Sequence, residues 1–333
     1  MANIIFTEAS GVADSIFGKS QAPIKAFLEH QAEAFEAEGI YNKVFKEETS
    51  DKYGEKYTSL VGNAGIQPTG EAGEPAVSGM KEGPSKFLEN VTWTDSMYIS
   101  REMIDDAQVI DLKKAPTNLL NGYYRGKELY AAATLGNAMN GNTAMTYLGK
   151  SFDLTCNDGY QLFYNAHPGA YADVDTQSNI FSDTVDSDAL GKLQTKMQNF
   201  CDPAGNILAV SPDTIIIPND ADIKKAVFAA VSSDKTPENA NNAFNYQFGM
   251  WNVIVWPYLN KYVASGDTPW ILFDSKFNEM YDGAVWQNRN ALEINSEVQR
   301  NKVNVWDIYA RFVAGFVDWR AFAIGGIASA SSL

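Results

Sequence analysis

The sequence predicts an α+β fold, and three observations carry that expectation. Apolar residues recur at helical spacing in some stretches, as in Leu120, Tyr124, Ala131, Leu135 and Ala138. They alternate or run together in others, as in Phe87, Val91, Trp93, Met97 and Ile99, or Ile215-Ile216-Ile217. The two kinds of stretch are mixed along the chain without a regular strand–helix repeat. With 333 residues, 45% of them hydrophobic and 12% aromatic, the chain has ample material for a buried core.

The elements follow in order. Pro23 suits the first turn of a helix and Gly39 its end; Ile24, Phe27, Leu28 and Phe35 form a narrow apolar stripe opposite Glu29, Glu33, Glu36 and Glu38. A strand at Tyr57–Val61 leads into Gly62–Pro84, which holds six glycines and three prolines and, among large apolar side chains, only Ile66, Val77 and Met80. Such a segment cannot bury enough apolar area to offset its ordering entropy. Because a strand follows it, the stretch from about Thr49 to Ile99 reads as a hairpin with a very long tip, an arm that orders against another subunit. Ser100 caps a short helix running to Asp106. Pro116 opens and Gly141 closes a longer helix of about 36 Å, whose Gly122, Gly126 and Gly136 leave it dependent on packing.

Asp153–Phe163 is strand-rich, and Tyr171–Thr184 is polar and loop-like. A third helix carries Leu190, Leu193, Met197 and Phe200 on one face, with Ser187 as its expected cap. A buried strand lies between Pro212 and Pro218, and Asp220 caps a fourth helix bearing Ile223, Val227, Ala230 and Val231. Trp251–Leu259, Trp270–Phe273 and segments near Val285, Ile294 and Val305–Phe316 complete the strands; Phe312–Ile327 reads as a buried strand pair interrupted by Asp318 and Arg320.

Composition narrows the function. A net charge of -15 disfavours binding to DNA or anionic membranes, and Lys113-Lys114 and Lys224-Lys225 are isolated pairs. No apolar run approaches a membrane span of about 20 residues, and Met1–Gly18 lacks the pattern of a signal peptide. Cys156 and Cys201 show neither C-x-x-C nor zinc spacing and are read as buried free thiols.

The candidates for chemistry are few. His30 lies on the charged side of the first helix. His167, in Asn165-Ala166-His167-Pro168, could act as a base only with a nucleophile and an orienting acid, and Cys156 is the nearest nucleophile. A hydrolase using Cys156 and His167 is therefore the rival in a different class; the reading preferred for His167 is a structural turn. Asp105-Asp106 and Glu47-Glu48 are adjacent carboxylates that would not converge on one site. Asp213, Asp220 and Asp222 do not have calcium-loop spacing, and Gly62-Asn63-Ala64-Gly65 lacks the G-K-[ST] of a phosphate loop. Trp251, Trp256, Trp270 and Trp286 suit a core better than a sugar-binding surface. We assign no catalytic, cofactor-binding or metal residue.

The order of parts resembles the major capsid proteins of tailed bacteriophages, whose Johnson fold is shared with encapsulin compartments. Leu162-Phe163-Tyr164-Asn165-Ala166-His167 resembles the L-F-x-x-x-H stretch of head subunits from Mu-like transposable phages. Pro212-x-x-Ile215-Ile216-Ile217-Pro218, then a helix and Asn239–Asn245, resembles the axial-domain segment; Gly249-x-Trp251-x-Val253-Ile254-Val255-x-Pro257-Tyr258-Leu259 and Trp270-Ile271-Leu272-Phe273-Asp274 resemble the strand pair after it. The resemblance implies an N-terminal arm (1–46), an extended loop (47–99), a peripheral domain (100–182) with a spine helix (116–140), an axial domain (183–302), and a return to the peripheral domain (303–333) in which Val303–Ile327 forms a long strand.

It also implies a non-enzymatic shell subunit that assembles with itself into hexamers and pentamers of an icosahedral head enclosing double-stranded DNA. The implied location is the virion, after assembly in the bacterial host cytoplasm. The implied partners are a scaffolding protein, encoded separately because no long charged helix precedes the loop, a portal and a head maturation protease; decoration proteins stay open. Neither sequence-specific nucleic-acid binding nor membrane binding is implied. Some relatives form Lys–Asn crosslinks; Lys81 and Lys86 lie in or beside the loop, but no partner Asn or catalytic Glu aligns, and crosslinking is not expected. An encapsulin-like compartment shell is the rival with the same fold.

Overall fold

The computed structural model describes residues 5–8, 32, 34–36, 38–61, 68–69, 71, 73–74, 81–100, 114–169, 176–232, 245–301 and 303–327. Most of the expected first helix, the tip of the hairpin, the Ser100–Asp106 helix and Asp105-Asp106 lie outside them; Ala32, Ala34, Phe35, Glu36 and Glu38 are helical as expected. In chain order come β1 (Ile5–Glu8), α1 (Tyr41–Val44), β2 (Lys46–Thr49), β3 (Gly54–Val61), β4 (Lys81–Glu89), β5 (Val91–Ile99), α2 (Lys114–Met139), β6 (Ala144–Tyr147) and β7 (Lys150–Asp153). Then follow α3 (Ser187–Gln198), β8 (Thr214–Pro218), α4 (Ala221–Val231), β9 (Asn252–Trp256), β10 (Trp270–Phe273), α5 (Ser275–Tyr281), β11 (Ala284–Val298), β12 (Asn304–Phe316) and β13 (Phe322–Gly325). The α+β expectation holds.

The chain forms two compact units. The first comprises Met1–Glu55, Leu88–Ala131 and Trp286–Ala314; the second comprises Lys56–Phe87, Ala132–Val285 and Gly315–Leu333.

In the first unit the strands are ordered β1-β11-β12-β5, with β2 also pairing β11. β12 and β5 run antiparallel from Asn304 opposite Ile99 to Phe312 opposite Val91. Residues two apart share a face of a strand, so Leu292 and Ile294 of β11 and Trp306 and Ile308 of β12 point together. They pack with Leu119, Leu120 and Tyr124 of α2 and with Ala32, and Phe35, Met97 and Tyr123 close the cluster.

One strand differs from its expected form. The alternation read as continuous from Phe87 to Ile99 breaks at Asn90, between β4 and β5. Lys86, Leu88 and Asn90 are buried, whereas Phe87 is 54% exposed; beyond the break the odd-numbered Val91, Trp93 and Met97 are the covered ones. The cause is the Asn90 side chain, which donates to Ser50 Oγ at 3.3 Å and to Lys52 O at 3.0 Å and pins the chain there.

In the second unit the sheet runs β13-β10-β8-β9. β8 lies parallel to β9 and antiparallel to β10, and all five of its residues are buried. Pro212 and Pro218 bracket this strand as the sequence suggested. Asp220 caps α4 by accepting from Asp222 N at 2.9 Å and Ile223 N at 3.1 Å. The α3 cap is Asp186, which accepts from Ala189 N at 2.6 Å, and not Ser187, whose hydroxyl donates to Asn245 Oδ1 at 3.2 Å. β3 and β4 pair in a two-stranded sheet, as the hairpin reading required.

Val303–Ile327 is not one long strand. β12 ends at Phe316, a 3-10 turn spans Trp319–Ala321, and β13 joins β10 in the second unit's sheet. There Gly325 stands opposite Trp270, whose indole occupies the place a side chain would need, 2.2 Å from where a Cβ would sit. Trp256, Trp270 and Trp286 are fully buried and half-buried Trp251 donates to Gln247 Oε1 at 2.6 Å, so the tryptophans are packing groups. No helix among the described residues is long and apolar enough to cross a membrane.

Candidate functional site

His167 lies in the second unit, at an isolated antiparallel bridge to Gln177. Its ring is fully buried and stacks on Trp319 with centroids 4.0 Å apart and planes 7° apart. Nδ1 faces Asp158 Oδ2 at 2.7 Å, which supplies the orienting acid the sequence left unnamed. Nε2, the atom a general base would use, meets no hydrogen-bond partner among the described residues. Arg320 also lies over Trp319, its guanidinium carbon 4.6 Å from the ring centroid. Arg320 Nη1 donates to both oxygens of Asp318 at 3.1 and 3.3 Å, and Nε donates to Cys201 O at 2.7 Å. The two charges that interrupt the C-terminal apolar run thus neutralise one another in the interior.

Cys156 is buried, and burial pushes its thiol well above the ordinary range, with Asp158 and Asp318 adding to the effect. A thiol so held is a poor nucleophile. Cys201 is half-buried, and its backbone exchanges bonds with the Gln177 side chain at 2.8 and 3.2 Å. His167 therefore has an acid partner but no activated nucleophile on it, and the cluster has the form of a packed joint.

The remaining candidates also resolve into structural contacts. Glu47 accepts from Asn288 at 3.4 Å while Glu48 pairs with Lys46 at 2.9 Å, so the adjacent carboxylates diverge. Asp213 accepts from Thr214 and Ser275. Among the described residues no group of three or more His, Cys, Asp or Glu is placed to hold a metal ion. Lys86 is buried and donates to Asp153 and, at 2.9 Å, to Thr155 Oγ1. Burial pushes the Asp153 carboxyl up, but the bonds from Lys86 and Thr155 outweigh it and hold it below the usual carboxylate range.

Sequence reasoning missed the most unusual side chain of the first unit. Lys127, on α2, is only 4% exposed. Its ammonium donates to Tyr41 Oη at 2.6 Å and lies 4.4 Å from the Tyr41 centroid, 5.2 Å from that of Trp286, and about 6 Å from those of Tyr123, Tyr124 and Phe312. Burial lowers its pKa to about 8 against the opposing pull of Glu47, Glu36 and Glu128. Burial likewise raises Glu36, which Lys127 partly counters. Glu128 Oε1 accepts from Ile40 N at 2.6 Å and Tyr41 N at 3.2 Å, and Tyr124 donates to Glu36 Oε1 at 3.2 Å. Together these contacts fasten the chain around Glu36–Tyr41 to α2. The signal was present in the sequence, since Lys127 falls on the apolar stripe of that helix, three residues after Tyr124 and four before Ala131.

The comparisons with known proteins bear on the whole architecture. A solved chain from Mycobacterium phage Patience superposes with a TM-score of 0.51 at 13% identity, over 98% of this chain and 93% of that one. The mature capsid of bacteriophage PhiM1 gives a TM-score of 0.52 at 8% identity over 86% of each chain. The capsid of the cyanophage P-SCSP1u gives 0.51 at 9% identity, over 86% of this chain and 88% of that one. At such identities the likeness defines the class: this is the fold of phage capsid subunits. The sequence-family description "Phage capsid protein" matches residues 88–325, well over half the chain, and the chain belongs to that family. No curated protein matches it. The family makes it a structural protein of the phage head, as the resemblance implied.

Proposed function

We propose that this protein builds a closed icosahedral head around double-stranded DNA by joining copies of itself into hexamers and pentamers, and that it has no enzymatic activity. The family match over residues 88–325 carries this reading. The arrangement at His167 and Cys156 supports a structural role for both. In this reading 1–46 is the N-terminal arm, 47–99 the extended loop, 100–182 the peripheral domain with its spine helix at 116–140, 183–302 the axial domain and 303–333 the return. Assembly takes place in the bacterial cytoplasm with a separately encoded scaffolding protein, a portal and a maturation protease.

The physical basis is the repetition of modest contacts. Heterologous interfaces that close into rings multiply small gains. Between the paired strands β3 and β4 the sequence 62–80 has little apolar surface of its own, a composition that suits an arm laid on a neighbouring copy. A chain of net charge -15 adheres weakly to DNA, so packaged DNA stays mobile inside such a shell.

The test is electron microscopy with light scattering on the purified protein, alone and with a co-expressed scaffold. Closed shells, rings or tubes are expected. A subunit that stays monomeric under every condition would sink the proposal.

A further inference from the structure

Helix α1 has no cap of its own. Ile40 precedes it in a helical conformation, with φ -76° and ψ -32°, and its apolar side chain offers nothing to the N–H groups of the first turn. Those groups are satisfied from α2 instead, where Glu128 Oε1 accepts from both Ile40 N and Tyr41 N. A helix of four residues is far shorter than one that holds together alone. The form of α1 therefore depends on a carboxylate 88 residues away in sequence.

Three neighbouring residues of α2 hold this stretch. Tyr124 donates to Glu36, Lys127 donates to Tyr41, and Glu128 accepts from the start of α1. Between these anchors the stretch bonds to itself: Gly39 N and Asn42 Nδ2 donate to Glu36 O, Lys43 N to Ile40 O, and Phe45 N to Tyr41 O. Gly39 permits the close approach, because a Cβ there would lie 2.9 Å from the Tyr41 ring and 3.3 Å from Glu128 Oε1. At Lys46 the chain enters β2, which pairs β11.

We infer that Glu36–Phe45 is a latch: it is folded only while docked on Tyr124, Lys127 and Glu128 of α2, and it opens as a unit while the sheet of β11, β12 and β5 stays paired. Such a stretch can let go when a few side-chain bonds break together, whereas β12 and β5 share nine register pairs. Opening uncovers Tyr41, Val44 and Phe45, so the closed form dominates. The latch lies within one subunit and does not rest on the shell reading.

Charge gives the latch a pH response. The groups facing Lys127 are Glu36 ahead of α1, Tyr41 on α1, Glu47 on β2, and Tyr123, Tyr124 and Glu128 on α2; β11 and β12 add the uncharged rings of Trp286 and Phe312. Closed, burial holds the Lys127 pKa at about 8; open, the ammonium returns to water and to its ordinary 10.5. Opening therefore takes up a proton between those values and becomes easier as pH falls towards 8. Glu36 works the other way, since burial raises its pKa in the closed form and acid then favours closure. The three tyrosines, pushed up by burial, stay neutral in this range. The latch is thus loosest near neutral pH, between the two titrations.

The experiment is amide hydrogen exchange on the full chain, corrected for intrinsic rates, comparing a peptide across Glu36–Phe45 with one across β12. Wild type, Glu128→Ala, Gly39→Ala and Lys127→Met are measured. In wild type the first peptide should exchange faster than the second. Glu128→Ala and Gly39→Ala should each speed the first about tenfold and leave the second nearly unchanged. From pH 9.5 to 7, opening should become about 30-fold more frequent in wild type, and Lys127→Met should lack that response. Exchange of both peptides at one rate, or variants that move them together, would overturn the inference, because the stretch would then come apart only with its whole unit. A pH response shared by wild type and Lys127→Met would overturn it too.

Discussion

The ammonium of Lys127 donates to the phenolic oxygen of Tyr41 at 2.6 Å and lies 4.4 Å from the centroid of that same ring, so one tyrosine serves it as both hydrogen-bond acceptor and π-face. The contact sets a pH dependence whose sign is unusual. The folded-state pKa of about 8 lies below the unfolded value of 10.5, so between those values the unfolded chain binds more protons and stability rises with pH. From pH 7 to 9.5 the gain is about 2 kcal/mol for this group. Tyr41, Tyr123 and Tyr124, which burial pushes up, work the other way only as pH climbs through 10. Urea unfolding of wild type and Lys127→Met at both pH values checks this. The wild type should gain about 2 kcal/mol relative to the variant; an unchanged difference between the two would refute the burial cost.

The glycines of α2 should separate by sign. A Cβ on Gly136 would lie 2.4 Å from the ring of Tyr262, whereas none on Gly122 or Gly126 meets anything within 4 Å. Gly136→Ala should therefore destabilise by about 1–3 kcal/mol despite its better helix propensity. Gly122→Ala and Gly126→Ala should each stabilise by up to about 1 kcal/mol. Thermal unfolding of the three single variants decides it.

The buried pair Asp318–Arg320 should resist being broken more than being replaced. Arg320→Met alone leaves the Asp318 charge without its cation in the interior and takes from Cys201 O one of its two donors, the other being Gln177; a loss of about 3–5 kcal/mol is expected. Asp318→Leu combined with Arg320→Met should lose clearly less than the two singles summed. A double-mutant cycle by denaturant unfolding that proved additive would contradict the pairing.

Cys156 should be silent to thiol reagents in the folded protein, because burial keeps it protonated and out of reach. Titration of native protein should label Cys201 first, and Cys156 only on unfolding. Rapid labelling of Cys156 at neutral pH would reopen the hydrolase reading.

Much of the fold could be read locally. Pro116 and Gly141 bound α2 because proline's fixed φ suits a first turn and Gly141, at φ 69°, takes the left-handed position after the helix end. Asp220 and the two prolines around β8 act through their own backbones, so a short window sufficed. The misread features depend on distant partners. The phase change at Asn90 is imposed by Ser50 and Lys52, about forty residues earlier in sequence. The β6–β7 hairpin was missed because Leu148-Gly149 lacks the Asn-Gly signal of its turn. Trp319, as the surface beneath His167, emerges only when the chain's end returns to its middle; Asp158 lies only nine residues before His167, but no regular helical or strand spacing links the two.

The sheet β13-β10-β8-β9 has a consequence for timing. β8 is synthesised at residues 214–218, but the second of its two neighbours, β10, arrives only at 270–273. At ribosomal speeds the interval is roughly 3–11 s. Through it the nascent chain carries Ile215-Ile216-Ile217, an uncharged β-branched run that the finished sheet buries completely. The nascent chain therefore exposes an aggregation-prone segment before the sheet that buries it has formed, and aggregation competes with folding during that interval.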